Sequence, residues 1–173
     1  MKKWTFGVDL GGTEIKFGLF DNQLKKHWSI PTNRQDQGAY IIEDIAKTIK
    51  DCCDEEGIAV DEITGVGIGV PGPVIGNGVV KHCVNLGWSR IEVAKELTDK
   101  LIQIFGEAAK DMKVLAANDA NVAALGEMWL GAGKECSSIL MATLGTGVGG
   151  GIIIDGKIIS GASGSAGEIG HIL

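Results

Sequence analysis

The stretch "DLGGTEIKFGLF" (residues 9–20) decides the fold. Apolar residues stand on both sides of the Gly11–Gly12 pair, which predicts two strands, at 4–10 and 15–20, joined by a tight turn. The glycines and the adjoining threonine present backbone N–H groups with little side chain in the way, so the turn is able to hold phosphate oxygens. An aspartate at the end of the first strand, Asp9, is placed to lie near a magnesium ion, through water. A plain hairpin turn is the alternative interpretation.

A second glycine-rich stretch, "LGTGVGGG" (144–151), also lies between apolar runs. It lacks the Lys-Ser/Thr pair of a Walker loop. The pattern G-x-G-x-x-G fits from Gly145 to Gly150, but the strand-like run Ile152–Ile154 follows where a dinucleotide site needs a helix. Two turns of the phosphate-binding type in one chain favour a nucleotide site more than either turn does alone.

The remaining periodicities predict an alternation of strands and helices. They indicate strands at 27–32, 63–72 and 113–118, a hairpin at 74–82, helices at 39–57, 91–106 (with Ser89 as a possible cap) and 120–131 (capped by Asn118 or Asp119), and two or three strands within 138–160. The last block repeats the opening hairpin with its glycine turn. We therefore expect an α/β lobe at 1–118 and, at 119–173, a connecting helix and the incomplete start of a second lobe, with a cleft between the two.

Composition limits the classes of function. The chain has 173 residues and a net charge of −6, and its only arginines are Arg34 and Arg90, which disfavours a nucleic-acid surface. No window approaches the roughly 18 apolar residues that span a membrane, and the first residues lack the apolar segment of a signal peptide. The four cysteines form no C-x-x-C pair, so we expect reduced thiols in a cytoplasmic protein.

Two short motifs carry candidate chemistry. In "NDAN" (118–121), Asp119 joins a strand to a helix, where it either caps the helix or takes a proton from an attacking hydroxyl group. In "GEIGH" (167–171), Glu168 is a candidate acceptor for sugar hydroxyls. His171 is able to bind a sugar, a metal ion or nothing, since no second ligand stands at zinc spacing.

Six segments taken together resemble the ROK sugar-kinase family, and most of all its bacterial glucokinases. They are "DLGGTEIKFGLF", "GVGIGVPGPV", "NLGW", "NDANVAALGE", "LGTGVGGGII" and "GEIGH", in the family's order from residue 5 to the end. The resemblance implies an α/β protein with the actin-like ATPase (RNase H-like) fold, in which the first lobe is complete and the second lobe is truncated.

The resemblance also implies roles for individual residues. By this resemblance, the first phosphate turn is formed by Gly11, Gly12 and Thr13, with Asp9 near Mg²⁺, and the second by Gly145, Thr146 and Gly147. The general base for the sugar 6-hydroxyl is Asp119. The sugar contacts are Asn118, Asp119, Glu168 and His171, to which Gly72 and Asn85 add, and His171 is also the first zinc ligand. The implied reaction is ATP-dependent phosphorylation of a hexose, glucose to glucose 6-phosphate. Implied cofactors are ATP, Mg²⁺ and a structural Zn²⁺, and the implied assembly is a homodimer that binds neither nucleic acid nor membrane.

The chain departs from the family after His171, where the run C-x-C-G-x-x-G-C is absent. The adenine pocket and the closing C-terminal helix are absent as well. We therefore expect an N-terminal fragment with little or no kinase activity of its own. Three alternatives stay open: a kinase of the same family for N-acetylmannosamine, N-acetylglucosamine or fructose; a sugar-sensing ROK repressor without its DNA-binding module; and a filament-forming or chaperone-type actin-like ATPase.

Overall fold

The computed structural model describes residues 2–144 and 147–171, the last of them, His171, by its backbone alone. The described residues form eleven strands and three α-helices. In chain order these are β1 (Trp4–Leu10), β2 (Glu14–Asp21), β3 (Gln23–Pro31), α1 (Ile41–Glu56), β4 (Ile63–Val70), β5 (Val74–Ile75), β6 (Val79–Val80), β7 (Ile91–Glu92), α2 (Val93–Phe105), β8 (Lys113–Asn118), α3 (Asp119–Leu130), β9 (Ile139–Leu144), β10 (Val148–Ile154) and β11 (Lys157–Ile158). The order of strands and helices predicted from the sequence is confirmed, except for the short strand β7, which the prediction had included in the following helix.

The main sheet has five strands in the order β3-β2-β1-β4-β8. Strands β1, β2 and β3 form an antiparallel meander, whereas β1, β4 and β8 run parallel. Alternate residues of β1, namely Phe6, Val8 and Leu10, point to one face and are buried. They join the buried side chains of α1 and α2 in one apolar core. Because parallel strands end at the same edge, β4 and β8 deliver their last residues side by side, Val70 opposite Asn118.

Helix α3 begins at this edge and lies between two sheets. On one side it approaches β4, where a methyl group added at Gly69 would lie 3.4 Å from the Cα atom of Asp119. On the other side it contacts β10 of the small sheet β11-β10-β9. A methyl group added at Gly151 would lie 2.6 Å from both the carbonyl oxygen of Ala120 and the Cβ atom of Ala124. The glycines of β10 therefore follow a turn and also allow α3 to pack closely against the strand.

The helix starts correct one detail of the sequence prediction and decide one that it left open. Ser89 does not cap α2, because Ile91 and Glu92 pair as a short strand with β6 and the helix starts only at Val93. Asn118, rather than Asp119, caps α3: its Oδ1 atom accepts the backbone N–H of Asn121 at 3.0 Å. None of the helices in the described part of the chain combines the length and apolar character that crossing a bilayer requires.

Candidate functional site

A cleft of about 520 Å³ opens at the edge where β4 and β8 end, and the start of β10 and the segment after β11 form part of its wall. Its lining includes six of the residues that the sequence analysis selected, namely Gly72, Asn85, Asn118, Asp119, Gly147 and Glu168. The lining also includes His82, Cys83, Val84, Leu144 and Val148. The sugar-contact candidates that the structure describes with their side chains thus come together in one cavity.

Asn118 and Asp119 form a fixed pair at the start of α3. The Nδ2 group of Asn118 donates to the carbonyl oxygen of Gly72 at 3.1 Å and to Oδ1 of Asp119 at 3.0 Å. The same Oδ1 atom accepts the backbone N–H of Ala120 at 2.8 Å. The carboxylate therefore has a set orientation before any ligand arrives, and the positive end of the helix dipole lies beside it.

The surroundings of Asp119 alter its acidity. Partial burial raises the pKa of its carboxyl group above the ordinary value, and the negative charges of Asp9 and Glu168 raise the pKa further. The N–H of Ala120 acts in the opposite direction, because it stabilises the ionised form. A carboxylate with a raised pKa is a stronger base than an exposed aspartate, which suits it to remove a proton.

The first glycine turn is closed by its own backbone. The N–H of Gly11 donates to the carbonyl oxygen of Glu14 at 3.0 Å, and a methyl group at Gly11 would lie 2.7 Å from that oxygen. Thr32 braces the turn, since its hydroxyl donates to the carbonyl oxygen of Gly11 at 2.7 Å. Gly11 therefore shapes the turn rather than offering its amide to a phosphate. Among the described residues, no acceptor engages the amides of Gly12 and Thr13.

The turn lies beside the cleft rather than in its wall. A methyl group at Gly12 would be 3.7 Å from the Cβ atom of Asn85, a residue of the cleft lining. Asp9 is exposed at the end of β1 and stands opposite Gly69 of β4, the position that approaches Asp119. Its carboxylate is of the donor type that Mg²⁺ prefers, and its charge reaches Asp119. The position fits a magnesium ion held through water.

The second turn is described in part. Gly145 and Thr146 lie outside the described residues, whereas Gly147 is exposed in the cleft wall with open space around its Cα hydrogens. Leu144 and Val148 flank the turn, pair with each other across β9 and β10, and are both exposed in the same cleft.

Glu168 is half-buried in the cleft wall, on a segment that folds back over β5 and β10. A methyl group at Gly164 would lie 2.6 Å from the carbonyl oxygen of Val74, and one at Gly150 would lie 2.7 Å from that of Gly167. The side chain of His171 lies outside the described residues. Within the described ranges no group of three His, Cys, Asp or Glu side chains is placed to hold a metal ion. The expected structural zinc therefore finds no support.

Three lining residues, His82, Cys83 and Val84, escaped the sequence analysis. His82 ends the predicted hairpin 74–82, and Cys83 belongs to an isolated bridge with Trp88 that has no periodic signal in the sequence. Of this stretch, only the adjoining Asn85 was selected. Cys83 is buried, and burial raises the pKa of its thiol.

The sheet order, the helix between two sheets and the cleft with two glycine turns define the class: the chain has the actin-like ATPase fold. Residues 5–173 match the ROK family. The chain therefore belongs to the ROK family.

Individual relatives agree with this assignment. The chain is 43% identical to a glucokinase of Halalkalibacterium halodurans over 98% of its own length and 50% of the relative. It is 34% identical to an N-acetyl-D-glucosamine kinase of Haemophilus influenzae, with coverage of 96% and 51%. A crystal structure of a ROK family glucokinase from Streptomyces griseus in complex with glucose and AMPPNP matches with a TM-score of 0.78 at 35% identity, covering 98% of this chain and 50% of that one. The chain thus spans about half the length of these relatives.

Proposed function

We propose that the protein that contains this chain transfers the γ-phosphoryl group of ATP to the 6-hydroxyl of a hexose, with glucose as the preferred substrate. The observation that carries the proposal is Asp119: a preoriented carboxylate with a raised pKa, at a helix N-terminus, in the wall of a cleft beside a glycine turn. Phosphoryl transfer requires mainly positioning and charge stabilisation, and this arrangement offers both.

In this proposal Asp119 is the general base. Its Oδ1 atom already accepts two hydrogen bonds, from Asn118 and Ala120, so we assign the hydroxyl proton to Oδ2. Removing the proton as the oxygen attacks the γ-phosphorus avoids a charged alkoxonium in the transition state. Partial burial and the neighbouring negative charges raise the pKa of Asp119 and thereby assist the transfer.

The other candidate residues hold the two substrates. Sugar contacts are assigned to Asn118, Glu168 and His171, with Gly72 and Asn85 beside them. Phosphate contacts are assigned to the amides of Gly12 and Thr13, in a turn that Gly11 shapes, and to the second turn, Gly145, Thr146 and Gly147. Asp9 would hold Mg²⁺ through water, and the ion, when bound, neutralises phosphate charge. The boundary at 118/119 between the two proposed lobes places the base at their junction.

The choice of glucose rests on relatedness. The glucokinase of H. halodurans is 43% identical to the chain, whereas the N-acetyl-D-glucosamine kinase of H. influenzae is 34% identical. N-acetylglucosamine is therefore the second candidate substrate, ahead of N-acetylmannosamine and fructose.

A thermal-shift panel tests sugar recognition. The product of the full open reading frame that encodes this chain is heated with each of the four sugars, because a ligand that binds only the folded state raises the melting temperature. We expect glucose to give the largest rise and Glu168→Gln to reduce it, while Glu107→Gln, an exposed residue outside the cleft lining, leaves it unchanged. A protein stabilised by ATP and by none of the sugars would instead be a filament-forming or chaperone-type ATPase. A protein that binds sugar but transfers no phosphate would fit the repressor.

A further inference from the structure

A short loop presents Asn85 to the cleft, and we call residues 83–88 the Asn85 loop. Two backbone hydrogen bonds close it, from Cys83 N–H to the Trp88 carbonyl oxygen at 2.8 Å and from Trp88 N–H to the Cys83 carbonyl oxygen at 3.0 Å. Its base is buried, since Cys83, Leu86 and Trp88 are 5%, 0% and 6% exposed. Val84 and Asn85 stand exposed at its tip in the cleft wall. The loop is a rigid support for these two side chains.

A second segment outside the cleft lining has an unusual backbone. Asp36, Gln37 and Gly38 all adopt left-handed conformations, with φ of 49°, 59° and 72°. Side-chain-bearing residues rarely enter this region, and two in succession persist only where the surrounding structure holds them. We call residues 36–38 the left-handed turn.

The left-handed turn and the Asn85 loop are in direct contact. The buried indole N–H of Trp88 donates to the carbonyl oxygen of Gly38 at 3.2 Å. A methyl group at Gly87 would lie 2.9 Å from the Cα atom of Gln37, and one at Gly38 would lie 2.9 Å from the indole nitrogen. Gly87 itself has a φ of 78°. The close approach therefore depends on both glycines, and the strained turn has a specific partner.

We propose that the left-handed turn is a latch that fixes the Asn85 loop, with Trp88 as the positioning residue that joins the two. The proposal rests on the assignment of Asn85 as a hexose contact. Asn85 lines the cleft and lies beside Gly12, where an added methyl group would be 3.7 Å from the Asn85 Cβ atom. The latch therefore sets the distance between the bound sugar and the first phosphate turn. Its loss reduces sugar affinity through Asn85, although neither Gln37 nor Gly38 lines the sugar cleft.

A double-mutant cycle on the full open-reading-frame product tests this. Glucose affinity is measured by titration calorimetry for the wild type, Trp88→Phe, Asn85→Ala and the double variant. Trp88→Phe keeps an aromatic ring and removes the indole donor, so we expect affinity to fall about fivefold, the value of one hydrogen bond. In the Asn85→Ala background the same change should have almost no effect, because the two residues act in series. Trp28→Phe, in the stack with Phe17 on the main sheet, is the matched control.

An equal loss of affinity in both backgrounds would overturn the proposal, because Trp88 would then support the fold in general. The absence of any loss in either background would also overturn it. Amide hydrogen exchange at Leu86 and Gly87 gives a second, sugar-independent readout. Both Trp88→Phe and Gly87→Ala should accelerate exchange of the Leu86 amide relative to the Trp28→Phe control, and unchanged exchange in both variants would refute the latch. If the wild type binds no hexose, the proposed function fails, and the exchange measurement alone decides whether the latch exists.

Discussion

At the scale of single residues, Asp119 and Asn118 show how one strand-to-helix junction serves both structure and chemistry. The sequence left open which of the two caps α3. The structure assigns the cap to the Oδ1 atom of Asn118, which leaves the Asp119 carboxylate turned to its own first-turn amide and to the cleft. An aspartate freed from capping can act as a base, and partial burial, together with the charges of Asp9 and Glu168, raises its pKa.

This raised pKa predicts how stability depends on pH. As pH rises above the ordinary aspartate value, the unfolded chain loses the Asp119 proton before the folded chain does, so the free energy of unfolding falls until the folded-state pKa is passed. Asp119→Asn removes this loss and keeps an oxygen acceptor for Asn118 and Ala120. We expect the variant to gain stability relative to the wild type between pH 3 and pH 7, measured by urea unfolding at each pH. A constant difference across that range would contradict the raised pKa.

At the scale of elements, the local sequence pattern predicted those strands and helices that local interactions determine. The hairpin β1–β2 and the helices α1 and α3 follow from apolar period and turn residues, and they stand where they were expected. The start of α2 was wrong because Ile91–Glu92 pairs with β6, a contact that no local pattern displays. The two left-handed residues before Gly38 were missed for the same reason, since their partner, the Asn85 loop, lies some 50 residues away.

The glycines of β10 illustrate a second limit. Their grouping after the turn predicted phosphate binding, but Gly151 is required where α3 crosses the strand. Adding a methyl group there would force it against backbone and side chain of the helix, so we expect Gly151→Ala to lower the free energy of unfolding by about 1–3 kcal/mol, the cost of overpacking. Gly126→Ala, at an exposed helical position with open space, is the control and should raise it by about 0.5–1 kcal/mol. Denaturant titration of both variants checks the pair, and equal effects would contradict the packing of α3 on β10.

At the scale of the whole molecule, the five-stranded sheet, the start of helix α3 and the small sheet β11-β10-β9 border one cleft. The chain spans about half the length of the curated relatives it matches. Sugar-contact candidates already line this cleft, whereas the proposed phosphate site is represented by the two glycine turns. The fold and the position of Asp119 were predictable because the motifs sit at strand ends. The cleft residues of the segment 82–84 were not, because the bridge between Cys83 and Trp88 leaves no periodic signal in the sequence.

From this distribution we expect the 173-residue chain to turn over at least about 100-fold more slowly than the full open-reading-frame product, because charge stabilisation on the ATP side of the cleft would be incomplete. A coupled assay with glucose and ATP at equal molar concentrations of the two proteins makes the comparison. Equal turnover would show that the chain holds a complete phosphoryl-transfer site by itself.

The central claim is that Asp119 is the base in hexose phosphorylation, and the most direct measurement is glucose 6-phosphate formation by Asp119→Asn in the full open-reading-frame product. The account predicts that kcat falls by at least about 100-fold, the usual contribution of general base catalysis, while glucose affinity, measured separately by calorimetry, is retained. Wild-type turnover in the variant would contradict the assignment of the base. Failure of the wild type to phosphorylate any of the four sugars would contradict the proposed function itself.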